Sequence, residues 1–287
     1  MSQDPFQAAR PRIRGLAYRM LGTLADADDV AQDTWLRWQA AGGAHISNAE
    51  AWLITTATRL CLDRLRSAAR TREIYPGPWL PEPIVTDPSP EGAAELSESL
   101  TFGFLVLLDQ LAPVERAVFV LADVFDVPYA EIAVTVGRST AACRQIASRA
   151  RRRLRPDEQP RQTAAADREL VKGLLRALAS GDMNEVVARL APQVVCTTDG
   201  GPGRRAARRP VVGSGRVARL LIALARRYRH LATRPAVVGG SAGAILSAGH
   251  TVEQVMAVTS KDGVITSIYF VGNPGKLTSV GHTVLIE

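Results

Sequence analysis

Residues 127–155 read VPYAEIAVTVGRSTAACRQIASRARRRLR, and this stretch decides the fold. A short helix is expected from Tyr129 to Val136, with small Ala133 where a second helix would cross closely. Gly137 follows, where a tight turn between helices needs a positive φ. Ser139 can cap the helix after it. On that second helix Cys143, Ile146, Ala147, Ala150 and Leu154 recur at helical spacing as one apolar stripe. Arg144, Gln145, Ser148, Arg149 and Arg152 fall on the opposite face, with Arg138 at the turn. Such side chains can reach base edges and phosphates in a major groove. The alternative is an ordinary helical hairpin with a solvated basic face. The small residue, the turn glycine and the arginine-bearing face together favour DNA binding.

Charge supports the same direction. The 287-residue chain carries 35 basic and 28 acidic residues, net +7, but unevenly. Residues 1–75 are net +2, 76–98 net −5, 99–156 net +3 and 157–287 net +7. Seven arginines and no acid lie between Arg138 and Arg155, and ten arginines and no acid between Arg204 and Arg234. One-signed runs are often solvated faces; on a groove-reading helix they fit a polyanion partner. Apolar residues at 46% suffice for packed cores. No apolar run is long enough to span a bilayer, and MSQDPFQAARPRIR lacks a secretory core, so a cytoplasmic location is expected. Cys61, Cys143 and Cys196 are too few for a disulfide framework and too dispersed for metal ligation, so neither metal nor cofactor is expected.

Upstream, Phe6, Ile13, Leu16 and Met20 mark a first helix closed by Gly22. Asp26 is the expected N-cap of a second helix running to about Ala40. In DADDVAQDTWLRW, Asp28, Asp29, Gln32 and Asp33 cluster on an exposed side. A third helix from about Ala49 to Arg72 places Trp52 near its start, with Arg59, Arg64, Arg66 and Arg70 after it. An aromatic with a basic stripe suits single-stranded nucleic acid, although Trp52 fits a core equally well. Residues 75–93 contain six prolines and read as an extended linker. Beyond Pro156 the pattern changes to two helices (164–180 and 183–190), then strands near 194–198, 236–238, 244–249, 252–259 and 264–271, interrupted by a helix at 215–228.

YRMLGTLADADDVAQDTWLRW, AWLITTATRLCLDRLR and LAPVERAVFVLADVFDVPYAEIAVTVGRSTAACRQIASRARRRL, in that order, resemble an extracytoplasmic-function (ECF) sigma factor of bacterial RNA polymerase. The resemblance spans residues 6–155 and implies a multidomain chain. Residues 1–75 would form an all-α domain for core polymerase and the −10 element, 76–98 a linker, and 99–156 an all-α helix-turn-helix domain for the −35 element. After a linker at 157–164, residues 165–287 resemble an α+β SnoaL-like cone. By the resemblance, Asp29, Gln32 and Asp33 would meet the largest polymerase subunit, with the second-largest also a partner. The loop at His45–Asn48 and the residues Asn48, Trp52, Arg59, Arg64 and Arg66 would engage the −10 element. Arg138, Ser139, Arg144, Gln145, Ser148, Arg149 and Arg152 would read the −35 element. Many relatives carry Arg-Asn where this chain has Thr58-Arg59.

Three further motifs resemble marks of the subfamily with this extension. They are Trp79, Leu80, Pro81, Glu82 and Pro83 in the linker; DGGPGR, with Asp199, Gly200, Gly201 and Arg204; and NPGKL, with Asn273, Pro274, Lys276 and Leu277. Pro202 and Gly275 depart from the usual pattern. The resemblance implies that the fused domain regulates the sigma module in place of a separate anti-sigma partner. Two other classes were weighed: a ligand-sensing operator binder and a cone enzyme. The acidic-polar helix at 26–40 has no use in an operator binder. Asp199, His230, His250 and Asp262 could titrate in a cone, but no paired spacing joins them, so no enzymatic activity is expected.

Overall fold

The computed structural model describes residues 4–42, 46–73, 75–86, 101–154, 164–204 and 206–280. His45, the Arg70 side chain, the acidic stretch 87–98 and the connection 157–163 lie outside the described residues. The chain divides into two compact units. One comprises residues 1–74 and 107–156, the other residues 75–106 and 157–287.

The first unit begins with α1 (Pro5–Leu21), α2 (Leu24–Ala40) and α3 (Ala49–Glu73). Asp4 caps α1 by accepting the Phe6 amide, and Gly22 ends it at φ +83°, as expected. The second helix starts earlier than its expected Asp26 cap. Thr23 is extended and its hydroxyl accepts the Asp26 amide at 3.2 Å, while the Asp26 carboxylate accepts the Thr23 hydroxyl in return. Asp26 therefore completes the cap three residues into the helix. Ile13, Leu16, Met20, Val30, Leu53 and Ala57 are fully buried between these helices. The unit continues with α5 (Pro113–Phe119), a π-helical turn (Val120–Val124), α6 (Tyr129–Val136) and α7 (Thr140–Leu154). Arg116 of α5 is buried and ties the two sets of helices together, donating to the Met20 carbonyl and to Asp109, each at 2.8 Å.

Helix α4 (Phe102–Leu108) leads from the second unit into the first. The second unit holds α8 (Ala164–Ser180), α9 (Met183–Ala188) and α10 (Ser214–Arg227), together with a seven-stranded sheet of order β1-β4-β5-β6-β7-β2-β3. Its strands are β1 (Val85–Thr86), β2 (Leu190–Asp199), β3 (Val211–Val212), β4 (Ala232–Val238), β5 (Ser241–Ala248), β6 (Thr251–Lys261) and β7 (Val264–Val271). All neighbours are antiparallel except β2 and β7.

Alternation along the strands splits this unit into two cores. Ala244, Met256, Val258 and Ile268 pack against Val171, Leu174, Val217 and Leu221 of the helices. Ile245, Val255, Ala257 and Val271 face the other way, onto Leu80, Val85, Phe102 and Leu277. The chain at 75–86, expected to be an extended linker, is thus a strap on the second face of the sheet. Its β1 pairs with β4 at the edge (Val85 with Val238), a position that nearby prolines tolerate because an edge strand leaves donors unused. Phe102, expected at the head of the helix-turn-helix domain, is fully buried in this second core, 5.7 Å from the Tyr269 ring.

Candidate polymerase, promoter and strap sites

The helix-turn-helix has the expected anatomy. Gly137 ends α6 at φ +66° and its amide returns to the Ala133 carbonyl. A Cβ there would meet no atom within 4 Å, so the turn demands glycine by conformation and not by space. The Ser139 hydroxyl accepts the Ala142 amide at 3.2 Å and caps α7. Cys143, Ile146, Ala147, Ala150 and Leu154 are all buried, while Arg138, Ser139, Arg144, Gln145, Ser148, Arg149 and Arg152 are exposed. Arg151, which the sequence reading left out of the DNA-facing set, is spent on structure. It pairs with Asp123 at 2.6 Å and donates to the Tyr129 hydroxyl at 3.0 Å. Arg144 lies 5.8 Å from the Tyr129 ring centroid. Neither Arg149 nor Arg152 forms an ion pair among the described residues, which leaves both available to phosphate or base.

On α2, Asp29 and Asp33 point outward but are not idle. Arg64 reaches across from α3 and pairs with Asp33 at 2.8 Å, Asp29 at 3.2 Å and Asp26 at 3.6 Å. Partial burial opposes the Arg64 charge, but the bonds to Asp33 and Asp29 outweigh it and leave the guanidinium more basic than usual. Arg64, one of the −10 candidates, is thus paired with the acidic face of α2. Gln32 borders a groove of about 280 Å³ between α1 and α2, beside Trp35 and Phe6. Trp35 and Leu36 are exposed at 39% and 51%, a contact feature that charge alone does not reveal.

The remaining −10 candidates are spread along α3. The Asn48 side chain accepts the Ala51 amide at 3.0 Å and starts the helix. Trp52 is half-buried and tilts against Trp38 at 5.6 Å, which serves packing. Thr58 is fully buried and bonds the Ile54 carbonyl. Arg66 is exposed beside Asp63. Arg59 is exposed too, yet its guanidinium donates to the carbonyls of Val134 (3.0 Å) and Thr135 (3.3 Å) on α6. Thr55 shares a hydroxyl bond with Thr135 at 3.0 Å. In this state the expected −10 arginine is bonded to the helix-turn-helix.

The three strap motifs converge within the second unit. Asp199, at the end of β2, is wholly buried as a side chain and forms a 2.7 Å ion pair with Lys276, itself 7% exposed. One carboxylate oxygen accepts the Tyr75 hydroxyl at 2.5 Å and the Gly201 amide at 3.0 Å; the other also accepts the Leu80 amide at 2.9 Å. Lys276 further donates to the Leu80 carbonyl and lies over the rings of Trp79 (4.0 Å) and Tyr75 (5.4 Å). Burial, and then the Asp199 carboxylate, raise the Tyr75 hydroxyl well above its ordinary range. Asn273 donates to the Tyr75 hydroxyl and packs on Gly201, where a Cβ would come within 2.4 Å of its side chain. The close approach explains the glycine. Buried Glu82 accepts the Ser279 hydroxyl at 2.7 Å; Pro81 and Pro83 are buried beside it. Pro274 opens the 3₁₀ turn that carries Lys276, and Leu277 joins the core below. Gly200 packs on Ala206, and Arg204 pairs with Glu253 at 2.9 Å.

A family model for Sigma-70 region 2 matches residues 6–71, and one for Sigma-70, region 4 matches residues 103–154. The ECF RNA polymerase sigma factor SigJ of Mycobacterium tuberculosis H37Rv is 39% identical over 97% of this chain and 94% of its own length. The chain belongs to the ECF sigma factors of RNA polymerase. The probable ECF sigma factor SigI of M. tuberculosis is 31% identical over 96% of this sigma factor and 97% of its own length. The crystal structure of M. tuberculosis SigJ superposes with a TM-score of 0.77 at 37% identity, covering 96% of this chain and 97% of that one. The two helical sigma regions followed by an α+β sheet domain are therefore the fold this chain shares with the SigJ structure. Sigma factors are initiation factors and not enzymes. His230 and His250 are exposed in turns. No helix among the described residues is long and apolar enough to cross a membrane.

Proposed function

We propose that this sigma factor binds core RNA polymerase through the outer face of α2 and directs promoter-specific initiation. In this reading α3 engages the −10 element and α7 the −35 element. The sheet domain modulates that activity through the strap, so that no separate anti-sigma partner is needed. The observation that carries the first part is the exposed row Arg144, Gln145, Ser148, Arg149 and Arg152 opposite a buried stripe. Such a row is placed to enter a major groove.

The buried Asp199–Lys276 pair carries the second part. The chain joining the two sigma regions is pinned to the sheet by Tyr75, Leu80 and β1. Pinning shortens the free chain between α3 and α5, and so limits how far the two DNA-reading helices can separate. Arg59 and Thr55, bonded to α6, must release it before Arg59 can meet DNA. A domain that holds the connecting chain biases this equilibrium by its differential affinity for the two states.

Run-off transcription with purified core polymerase tests both parts. Full-length protein should initiate at its promoter, and Arg149→Ala should lower promoter-specific yield. Trp79→Ala and Lys276→Met should change yield while core affinity stays the same. Equal yields from all variants would defeat the modulation reading. Deleting residues 165–287 is a poorer test, because it strips Leu80, Val85 and Phe102 of the core that buries them.

A further inference from the structure

Helix α10 carries a row of exposed arginines on the side turned away from the sheet. Arg216, Arg219, Arg226 and Arg227 are exposed, while Val217, Ala218, Leu221 and Ile222 are buried in the core beneath the helix. With 3.6 residues per turn, the four arginines fall within one sector about 100° wide, opposite that buried stripe. Exposed Ala223 lies within the sector, and Arg229 adds a charge just past the helix end. From Arg216 to Arg227 the row runs about 17 Å along the helix axis.

Elsewhere this unit pairs its exposed cations. Lys172 meets Glu169, Arg189 lies 4.0 Å from Glu185, and Arg204 pairs with Glu253. None of the four α10 arginines enters an ion pair among the described residues, and no acid occurs between Arg204 and Arg234. Arg227 lies 5.7 Å from the Tyr228 ring centroid, a contact that leaves its charge in place. Arg226 and Arg227 suit the negative end of the helix. Arg216 stands in the first turn, at the positive end, where no acid offsets it. Like charges about one turn apart repel as well. The row therefore costs local stability in the free protein, and an anion laid along it relieves that cost.

We infer that the exposed face of α10 grips the phosphate backbone of duplex DNA. The row is long enough to meet several phosphates, because a duplex carries one charge about every 1.7 Å of its axis. A lipid surface fits less well. A helix lying in a membrane interface inserts its apolar face, but α10 has spent that face on the sheet and exposes no large apolar residue. A protein partner fits less well too, since small Ala223 stands amid the row where an interface would place an aromatic or apolar anchor. This face belongs to the second unit, whereas α3 and α7 belong to the first. It adds a contact to the promoter-reading surfaces proposed above and does not rest on them.

Fluorescence anisotropy of the full-length protein with a labelled duplex lacking promoter elements, at several salt concentrations, provides the test. Changing all four residues to glutamine (Arg216→Gln, Arg219→Gln, Arg226→Gln and Arg227→Gln) should lower the salt slope by about 3, since each phosphate contact contributes about 0.9. Affinity at low salt should fall at least about tenfold. Lysine at the same four positions should keep most of the slope, because phosphate is met by charge. Ala223→Glu, which sets an acid within the row, should also weaken binding and serves if the fourfold variant does not fold. Arg152→Ala reports α7 separately in the same assay. Pull-down of core polymerase should be the same for the wild-type and glutamine proteins, and neither should sediment with vesicles of phosphatidylglycerol and phosphatidylcholine. No salt-dependent binding by the wild type, an unchanged slope in the folded glutamine variant, or a lysine variant no better than the glutamine one would each overturn the assignment. Loss of core or vesicle binding with DNA affinity intact would overturn it as well.

Discussion

Replacing Lys276 by methionine keeps an apolar stem under Trp79 and Tyr75 but removes the charge that neutralises Asp199. The carboxylate is 0% exposed and would retain only neutral donors: the Tyr75 hydroxyl and the Leu80 and Gly201 amides. Breaking a buried pair on one side costs about 3–5 kcal/mol, because the other charge is left uncompensated. Three remaining donors place this case near the lower end, about 3 kcal/mol. Asp199→Asn leaves the ammonium without its counter-charge, with the Leu80 carbonyl and the Trp79 and Tyr75 rings among its remaining partners, and should cost a similar amount. The double variant leaves no buried charge. It should cost about 3 kcal/mol in total and not about 6, a coupling near the top of the range for residues in contact. Urea unfolding followed through the sheet domain measures all three variants. Amide exchange at Leu80 reports the strap separately, since its N–H bonds directly to Asp199. Additivity of the single variants within about 0.5 kcal/mol would refute the claim that the strap is held by this charge pair.

Four other outcomes are expected. Arg149→Ala should cost about 1–3 kcal/mol of discrimination between matched and mutated −35 sequences, while Arg152→Ala should weaken binding evenly and lower the salt slope by about 1, as competition binding at several salt concentrations would show. Gly137→Ala should destabilise the helix-turn-helix by about 1–2 kcal/mol in thermal unfolding, since φ +66° strains any residue with a Cβ although the space is open. Charge reversal at both Asp29 and Asp33 should weaken pull-down of core polymerase, whereas Arg152→Ala should not. Burial pushes the Cys61 and Cys196 thiols up to about 12 and raises Cys143 as well, so iodoacetamide at pH 8 should label the protein only after unfolding. Because the folded state holds these protons more tightly, their contribution to stability is complete below about pH 9. It is lost as pH rises towards 12, readable as a falling unfolding midpoint across that window.

The helix-turn-helix was legible in the amino-acid sequence because its determinants are local. Stripe, turn glycine and cap all lie within residues 127–155, and the 3.6-residue period alone assigns each side chain to a face. The strands from Val194 to Val271 were legible for the same reason. Arg64 was set beside the spaced row Arg59, Arg66 and Arg70, and only the packing of α3 on α2 decides that it meets Asp26, Asp29 and Asp33. Thr23 took the cap expected of Asp26 because an extended backbone at Thr23 decides where the helix begins. The proline-rich strap read as an extended linker because prolines forbid helix and central strand; a sheet edge accepts them, and which edge is open is a property of the closed sheet. Tyr75, Asp199 and Lys276 are separated by 124 and 77 residues. The sequence marks their motifs; only tertiary structure, by burying one carboxylate where no water can solvate it, makes them one site.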